Sequence, residues 1–131
     1  MSALRYAVLP GTLAVLRLAP EAEVPPGVLV PPFHSVTRTP DELSIVCPEE
    51  AVPAGAKAER GWALLALEGP FAFELVGILA SVLVPLAAAR VGVFALSTYD
   101  TDYVLVKRAQ LETALSALEA AGHVRTGTPG R

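Results

Sequence analysis

Proline and glycine residues divide the first third of the chain into short apolar segments. Pro-Gly and Pro-Pro pairs recur between residues 10 and 32 and leave no room for a long helix. Three strands are predicted from the apolar runs Leu13–Leu18, Phe33–Thr39 and Leu43–Cys47. The segment Thr39-Pro40-Asp41-Glu42 has the composition of a hairpin turn, so we expect it to join the last two strands directly.

The second half predicts a strand, a helix, two strands, a helix and a short strand, in that order. The segments, in the same order, are 62–67, 73–90, 91–97, 103–107, 110–121 and 123–126. The first helix is apolar on nearly every face, and Pro85 within it is expected to bend it or to free a carbonyl group near Ser81. This order is the split β-α-β arrangement of ferredoxin-like folds, and it predicts the α+β class.

The two halves of the chain resemble each other. Residues 37–46 match residues 97–106, sixty positions later, with hydroxyl, acidic and apolar residues in register. Leu18-Ala19-Pro20 likewise stands fifty positions before Glu68-Gly69-Pro70. These matches predict a duplicated unit in which the first copy has a shortened helix. We therefore expect a first unit over residues 1–60 and a second, complete unit over residues 61–131.

Composition and charge exclude several classes of protein. Ten Lys and Arg against thirteen Asp and Glu give a net charge of −3 without any basic run, so we expect no nucleic-acid partner. The uncharged segment 75–89 is shorter than the roughly 20 residues of a membrane span, so we expect no membrane association. The single cysteine, Cys47, and the lack of a signal-peptide pattern predict a cytoplasmic protein.

Three segments carry a family resemblance: 77–83 (GILASVL), 95–107 (ALSTYDTDYVLVK) and 33–48 (FHSVTRTPDELSIVCP). Together they resemble the bacterial ACT-domain proteins related to the CASTOR arginine sensors, over roughly residues 5 to 125. The resemblance implies tandem ACT-like units with antiparallel sheets, which pair through sheet edges and helices. It also implies that an amino acid binds at the interface between units, and it implies no catalysis.

A candidate ligand site combines the start of the first long helix with the turn that follows it in the second unit. The free N–H groups of a helix start suit a carboxylate, and Gly77 and Ile78 are expected to frame the pocket. Hydroxyls and two carboxylates that suit an ammonium or a guanidinium come from Ser97, Thr98, Tyr99, Asp100, Thr101 and Asp102. Thr37 and Asp41 are the counterparts in the first unit.

The same residues also have a purely structural interpretation. Ser, Thr and Asp are common in hairpin turns because their side chains cap backbone groups. Gly77 is equally explained by close packing of a helix on a sheet. From spacing alone, the structural interpretation of the turn is the stronger one, and the family resemblance brings the two to near equality.

The remaining candidates for chemistry are weaker. His34 and His123 have no metal-ligand spacing with Cys47, so we expect no metal site. Cys47 follows two apolar strand residues, which predicts a buried thiol rather than a nucleophile. No nucleophile stands beside a base, so we expect neither an enzyme nor a cofactor.

The leading prediction is a regulatory or sensory protein that binds a small ligand, in the first place an amino acid, and forms a homo-oligomer, with a dimer favoured. The alternative is a structural module that assembles through sheet edges and helices and binds nothing small. Its support is the same apolar helix together with unprotected strand edges.

Overall fold

Short apolar runs form most of the strands of the protein. The computed structural model describes residues 3–72 and 76–127 of the chain. The strands are β1 Arg5–Val8, β2 Leu13–Leu18, β3 Ser35–Arg38, β4 Leu43–Pro48, β5 Lys57–Leu67, β6 Val93–Ser97, β7 Asp102–Lys107 and β8 Val124–Arg125. The helices are α1 Ile78–Ala88 and α2 Leu111–Ala120, and single 3-10 turns cover Pro26–Val28, Glu49–Ala51 and Arg108–Gln110. The predicted α+β class is confirmed.

The chain folds into two compact units, and one of them is inserted into the other along the sequence. Residues 10–62 form the inserted unit, while the residues up to 9 and those from 63 onward form the main unit. Residues 1–9 are predicted from the sequence to belong to the first unit. They lie in the main unit because β1 pairs with the second half of β5, for example Tyr6 with Leu67, and in parallel with β8.

The inserted unit is an antiparallel arrangement of β3, β4, β2 and the first half of β5. The predicted turn between β3 and β4 is confirmed, because the Thr39 N–H donates to the Glu42 carbonyl over 2.9 Å. Residues 10–62, all of which are described, contain no α-helix, and a single 3-10 turn lies between β2 and β3. The core of this unit consists of Leu16, Val28, Leu43, Ile45 and Cys47.

The main unit contains β5, α1, β6, β7, α2 and β8 in the predicted order. β7 pairs with both β5 and β6, and β1 lies between β5 and β8. Both helices contribute to one core: Val82 and Leu86 of α1 and Ala114 and Leu118 of α2 pack with buried strand residues such as Leu65. The ferredoxin-like arrangement is confirmed, with β1 as an additional strand that the sequence analysis does not predict.

Two boundaries differ from the predictions for identifiable reasons. β5 begins at Lys57 rather than at Trp62, because backbone pairing with β2 extends over polar residues that carry no apolar signal. α1 begins at Ile78 rather than at residue 73, since Gly77 has the left-handed φ of 80° that a helix does not accommodate. Residues 73–75 lie outside the described residues. Among the described helices, none is long and apolar enough to span a bilayer.

Candidate functional site

The turn between β6 and β7 is held by its own side chains. The Thr98 N–H donates to the Thr101 carbonyl over 2.8 Å, and the Thr101 N–H donates to Oγ1 of Thr98 over 3.3 Å. At the base of the turn, the Ser97 hydroxyl donates to Oδ1 of Asp102 over 2.5 Å. The hydroxyls of Ser97 and Thr98 therefore stabilise the turn itself, as the structural interpretation of these residues expects.

The loop that follows β5 lies directly against this turn. The Phe71 N–H donates to the Asp100 carbonyl over 2.8 Å, and the Thr101 hydroxyl donates to the Leu67 carbonyl over 2.8 Å. A Cβ atom on Gly69 would stand 2.8 Å from the Asp100 carbonyl oxygen, so that only glycine fits between the two segments. The turn and the loop form one fixed wall.

A small cavity of about 170 Å³ opens beside this wall. Its lining consists of Phe71, Ala72, Ile78 and every residue of the turn from Ser97 to Asp102. Ile78 and the six turn residues of the predicted site therefore come together in one place. Gly77 precedes Ile78 and carries the left-handed backbone at the start of α1, although it is not part of the lining.

The lining of this cavity combines the start of a helix with two acidic residues. Among the described residues, no side chain caps the start of α1, and the first intrahelical backbone bond runs from the Ser81 N–H to the Gly77 carbonyl over 3.0 Å. The N–H groups of the first turn thus present the positive end of the helix dipole. The lining also includes Asp100 and Asp102, and none of its described residues is a Lys or Arg.

A larger cavity of about 630 Å³ shares part of the same turn and is not predicted from the sequence. It is lined by Ala7, Leu9, Ala66, Leu67, Glu68, Gly69, Pro70, Thr98, Asp100, Thr101, Tyr103 and Thr126. Three of these belong to the predicted site. The others meet only because β1 lies between β5 and β8, and no local sequence signal indicates that pairing.

The counterparts in the inserted unit have local structural contacts. Thr37 pairs with Ser44 in the β3–β4 ladder. The Asp41 carbonyl accepts a hydrogen bond from Nη2 of Arg17 over 2.9 Å, and the Asp41 N–H donates to the Thr39 hydroxyl over 3.1 Å. Neither residue lines the two cavities beside the β6–β7 turn.

The other reactive side chains are engaged or buried. Cys47 is fully buried, as predicted, and desolvation raises the pKa of its thiol above the ordinary 9.0. His123 is 5% exposed and has protein partners at both ring nitrogens. Within residues 3–72 and 76–127, no group of three or more His, Cys, Asp or Glu side chains is arranged to hold a metal ion.

Comparisons of sequence connect the chain to known proteins. Residues 57–120 match the family model of the ACT domain, and residues 11–55 match a second model that describes an N-terminal domain. The cytosolic arginine sensor for mTORC1 subunit 1 of Bos taurus is 34% identical over 97 residues, which are 66% of this chain and 30% of the sensor. The chain therefore spans less than a third of that relative's length.

Comparisons of structure extend the similarity to the whole chain. Protein Atu0741 from Agrobacterium tumefaciens has a TM-score of 0.92 and 34% identity, with 100% of this chain and 98% of that chain covered. The regulatory subunit of aspartate kinase from Thermus thermophilus has a TM-score of 0.62 at 14% identity, with 89% and 97% covered. The second similarity shows a shared fold of the ACT type.

Proposed function

Because the chain belongs to the ACT-domain family related to the cytosolic arginine sensors, we propose that it is a regulatory protein that binds an amino acid. The observation that carries this proposal is the cavity lined by Ile78 and the β6–β7 turn. An α-amino acid has a carboxylate and an ammonium group, and the helix start at Ile78 and the two acidic residues of the lining are complementary to them.

The chemistry of the helix start and of the two acidic residues suggests how the ligand is oriented. The uncapped start of α1 suits the α-carboxylate, since unpaired N–H groups and the helix dipole both favour an anion there. Asp100 and Asp102 suit the α-ammonium group or a cationic side chain, through charge-assisted hydrogen bonds. Two carboxylates without a basic neighbour in the lining disfavour Asp or Glu as the ligand.

The proposed mode of action is binding without catalysis. The ligand would act by changing how copies of the chain associate, and we propose a homo-oligomer, with a dimer favoured, in the cytoplasm. The relative from Bos taurus is named as a cytosolic sensor, which supports the location. Whether Thr37 and Asp41 form a second site in the inserted unit is a separate hypothesis, for which the engaged backbone of Asp41 offers little support.

A second candidate function is assembly without a small ligand. α1 contains no charged residue, and Val84 on it is 66% exposed. Within the described residues, β6 pairs with β7 only, and β6 has neither a charged residue nor a proline to protect its other edge. An apolar helix face and an open strand edge are both suited to contact with another chain.

Thermal unfolding with each of the twenty amino acids in turn distinguishes the two functions. A ligand at about 100 times its Kd adds roughly 2.7 kcal/mol to the free energy of unfolding, which moves the midpoint by several degrees. We expect one selective rise, and its loss in the Asp100→Asn/Asp102→Asn double variant. Asp41→Asn in the inserted unit is the matched control and should keep the response. No rise with any amino acid at millimolar concentration would favour the assembly function.

A further inference from the structure

His123 joins α1 to Leu4, the residue before β1, through the two nitrogens of its ring. Nδ1 accepts a hydrogen bond from the Leu4 N–H over 3.1 Å, and Nε2 lies 2.8 Å from the Ser81 carbonyl oxygen. A nitrogen that accepts from an amide carries no hydrogen, and a nitrogen that faces a carbonyl oxygen must donate one. The imidazole is therefore neutral, with its hydrogen on Nε2.

The Ser81 carbonyl is available to His123 because of Pro85. In a regular helix, the N–H of residue 85 would donate to the carbonyl of residue 81. Proline has no N–H, so the carbonyl loses its helical partner, as the sequence predicts. His123 supplies the missing donor from outside the helix.

Ser81 is also the residue that fixes the first turn of α1. Its N–H donates to the Gly77 carbonyl over 3.0 Å, and its hydroxyl donates to the Ile78 carbonyl over 2.7 Å. Ile78 in turn lines the small cavity beside the β6–β7 turn. A displacement of Ser81 would therefore move both the apolar wall of the cavity and the N–H groups at the helix start.

From these contacts we infer that His123 is a positioning residue for the amino-acid site, although it is not part of the cavity lining. It acts through the Ser81 carbonyl and holds the first turn of α1 at the place where its N–H groups meet the ligand carboxylate. The other ring nitrogen is hydrogen-bonded to the Leu4 N–H. His123 therefore fixes the position of the first turn of α1 relative to the residue that precedes β1. The inference rests on the proposed function.

Two substitutions of similar size separate the two hydrogen bonds of His123. In His123→Gln, the terminal amide nitrogen stands near the position of Nε2 and can still donate to Ser81. In His123→Asn, the side-chain oxygen stands near the position of Nδ1 and can still accept from Leu4, but nothing reaches Ser81. Val106→Ala, in the same core but outside the cavity lining, is the control for a general loss of stability.

The experiment first screens the wild-type chain with the twenty amino acids by thermal shift and then measures Kd for the responding one by calorimetry. We expect Kd within about threefold of wild type for His123→Gln and Val106→Ala, and a rise of at least tenfold for His123→Asn. Hydrogen exchange of the amides of residues 81–83 without ligand should be at least tenfold faster in His123→Asn than in His123→Gln.

Three outcomes overturn the inference, and they are distinguishable. If wild type responds to an amino acid and the Gln and Asn variants have equal Kd values, the site exists and His123 does not position it. If wild type responds to none of the twenty, the proposed function fails and the inference falls with it. An equal rise in Kd for Val106→Ala would also overturn it, because stability alone would then explain the effect.

Discussion

The Ser97 hydroxyl and the Asp102 carboxylate are joined by a hydrogen bond of 2.5 Å across the base of the β6–β7 turn. The Asp100 side chain, in contrast, accepts no hydrogen bond from the described part of the chain. The two carboxylates of the proposed site are thus unequal: one supports the turn, and the other is available to a ligand.

Asp100→Asn and Asp102→Asn are therefore expected to have different effects. Asp100→Asn should weaken binding of the responding amino acid at least tenfold and leave the free energy of unfolding nearly unchanged. Asp102→Asn should lower the free energy of unfolding by about 1 kcal/mol, because a charge-assisted hydrogen bond becomes a neutral one. Calorimetric titration and urea unfolding measure the two quantities. The reverse pattern would contradict this division of roles.

Replacement of Gly69 should disrupt the contact between the loop and the turn. In Gly69→Ala, the new Cβ atom would meet the backbone oxygen of Asp100 at 2.8 Å, and one of the two segments must move. We expect a loss of about 1–3 kcal/mol in the free energy of unfolding, as for other overpacked positions. Gly92→Ala is the matched control, because its Cβ would meet nothing within 4 Å. Equal losses in both variants would refute the steric argument.

The buried thiol of Cys47 should make stability depend on alkaline pH. Burial raises its pKa in the folded state above the ordinary 9.0, with a smaller contribution in the same direction from Glu50. A raised pKa means that this contribution to stability is complete below 9.0 and is lost as the pH rises through the folded-state pKa. Urea unfolding at pH values from about 7 to 10 should show this decline.

The control for the pH dependence is Cys47→Ala. This variant should be less stable at every pH, since it leaves a cavity in the core of the inserted unit. Its free energy of unfolding should nevertheless fall less steeply above pH 9 than that of wild type, because it has no thiol to ionise. Parallel curves for the two proteins would assign the alkaline loss to other groups.

Pro85 and His123 should be energetically coupled through the Ser81 carbonyl. His123→Asn leaves this carbonyl without its donor, and we expect a cost of about 1–3 kcal/mol. Pro85→Ala restores an N–H that can take over within the helix. The Asn substitution should therefore cost less in the Pro85→Ala background, with a coupling energy of about 1 kcal/mol in a double-mutant cycle. Additive effects would show that the two residues do not share this partner.

Local sequence patterns predicted those parts of the fold that depend on local interactions. The hairpin turn at Thr39 and the order of elements from β5 to β8 follow from turn chemistry and periodicity. The carbonyl acceptor that Pro85 frees was likewise predicted, because the loss of one helical hydrogen bond is a local event. The partner His123 was not, since it lies 42 positions away from Ser81 in the sequence.

The sequence predicts which residues belong to the candidate site, but it does not predict the hydrogen bonds between their side chains. The family resemblance brings Ile78 and the turn from Ser97 to Asp102 into one site, and one cavity contains them. Asp102 accepts a hydrogen bond from Ser97, whereas the Asp100 side chain accepts none from the described part of the chain. This difference depends on side-chain geometry, which residue types alone do not determine. The larger cavity depends on β1, a strand of four residues with long-range partners and no recognisable local pattern.

The position of β1 determines the order in which the main unit can be completed during synthesis. β1 is synthesised before its neighbours β5 and β8, which are encoded far downstream, and Leu4 is 119 positions from His123. Closing a loop of this length slows folding, because chain entropy is lost before the contacts that compensate for it are made. The residues of the inserted unit, 10–62, are all synthesised before β8, so that this unit can be completed while β1 still lacks one of its two neighbours.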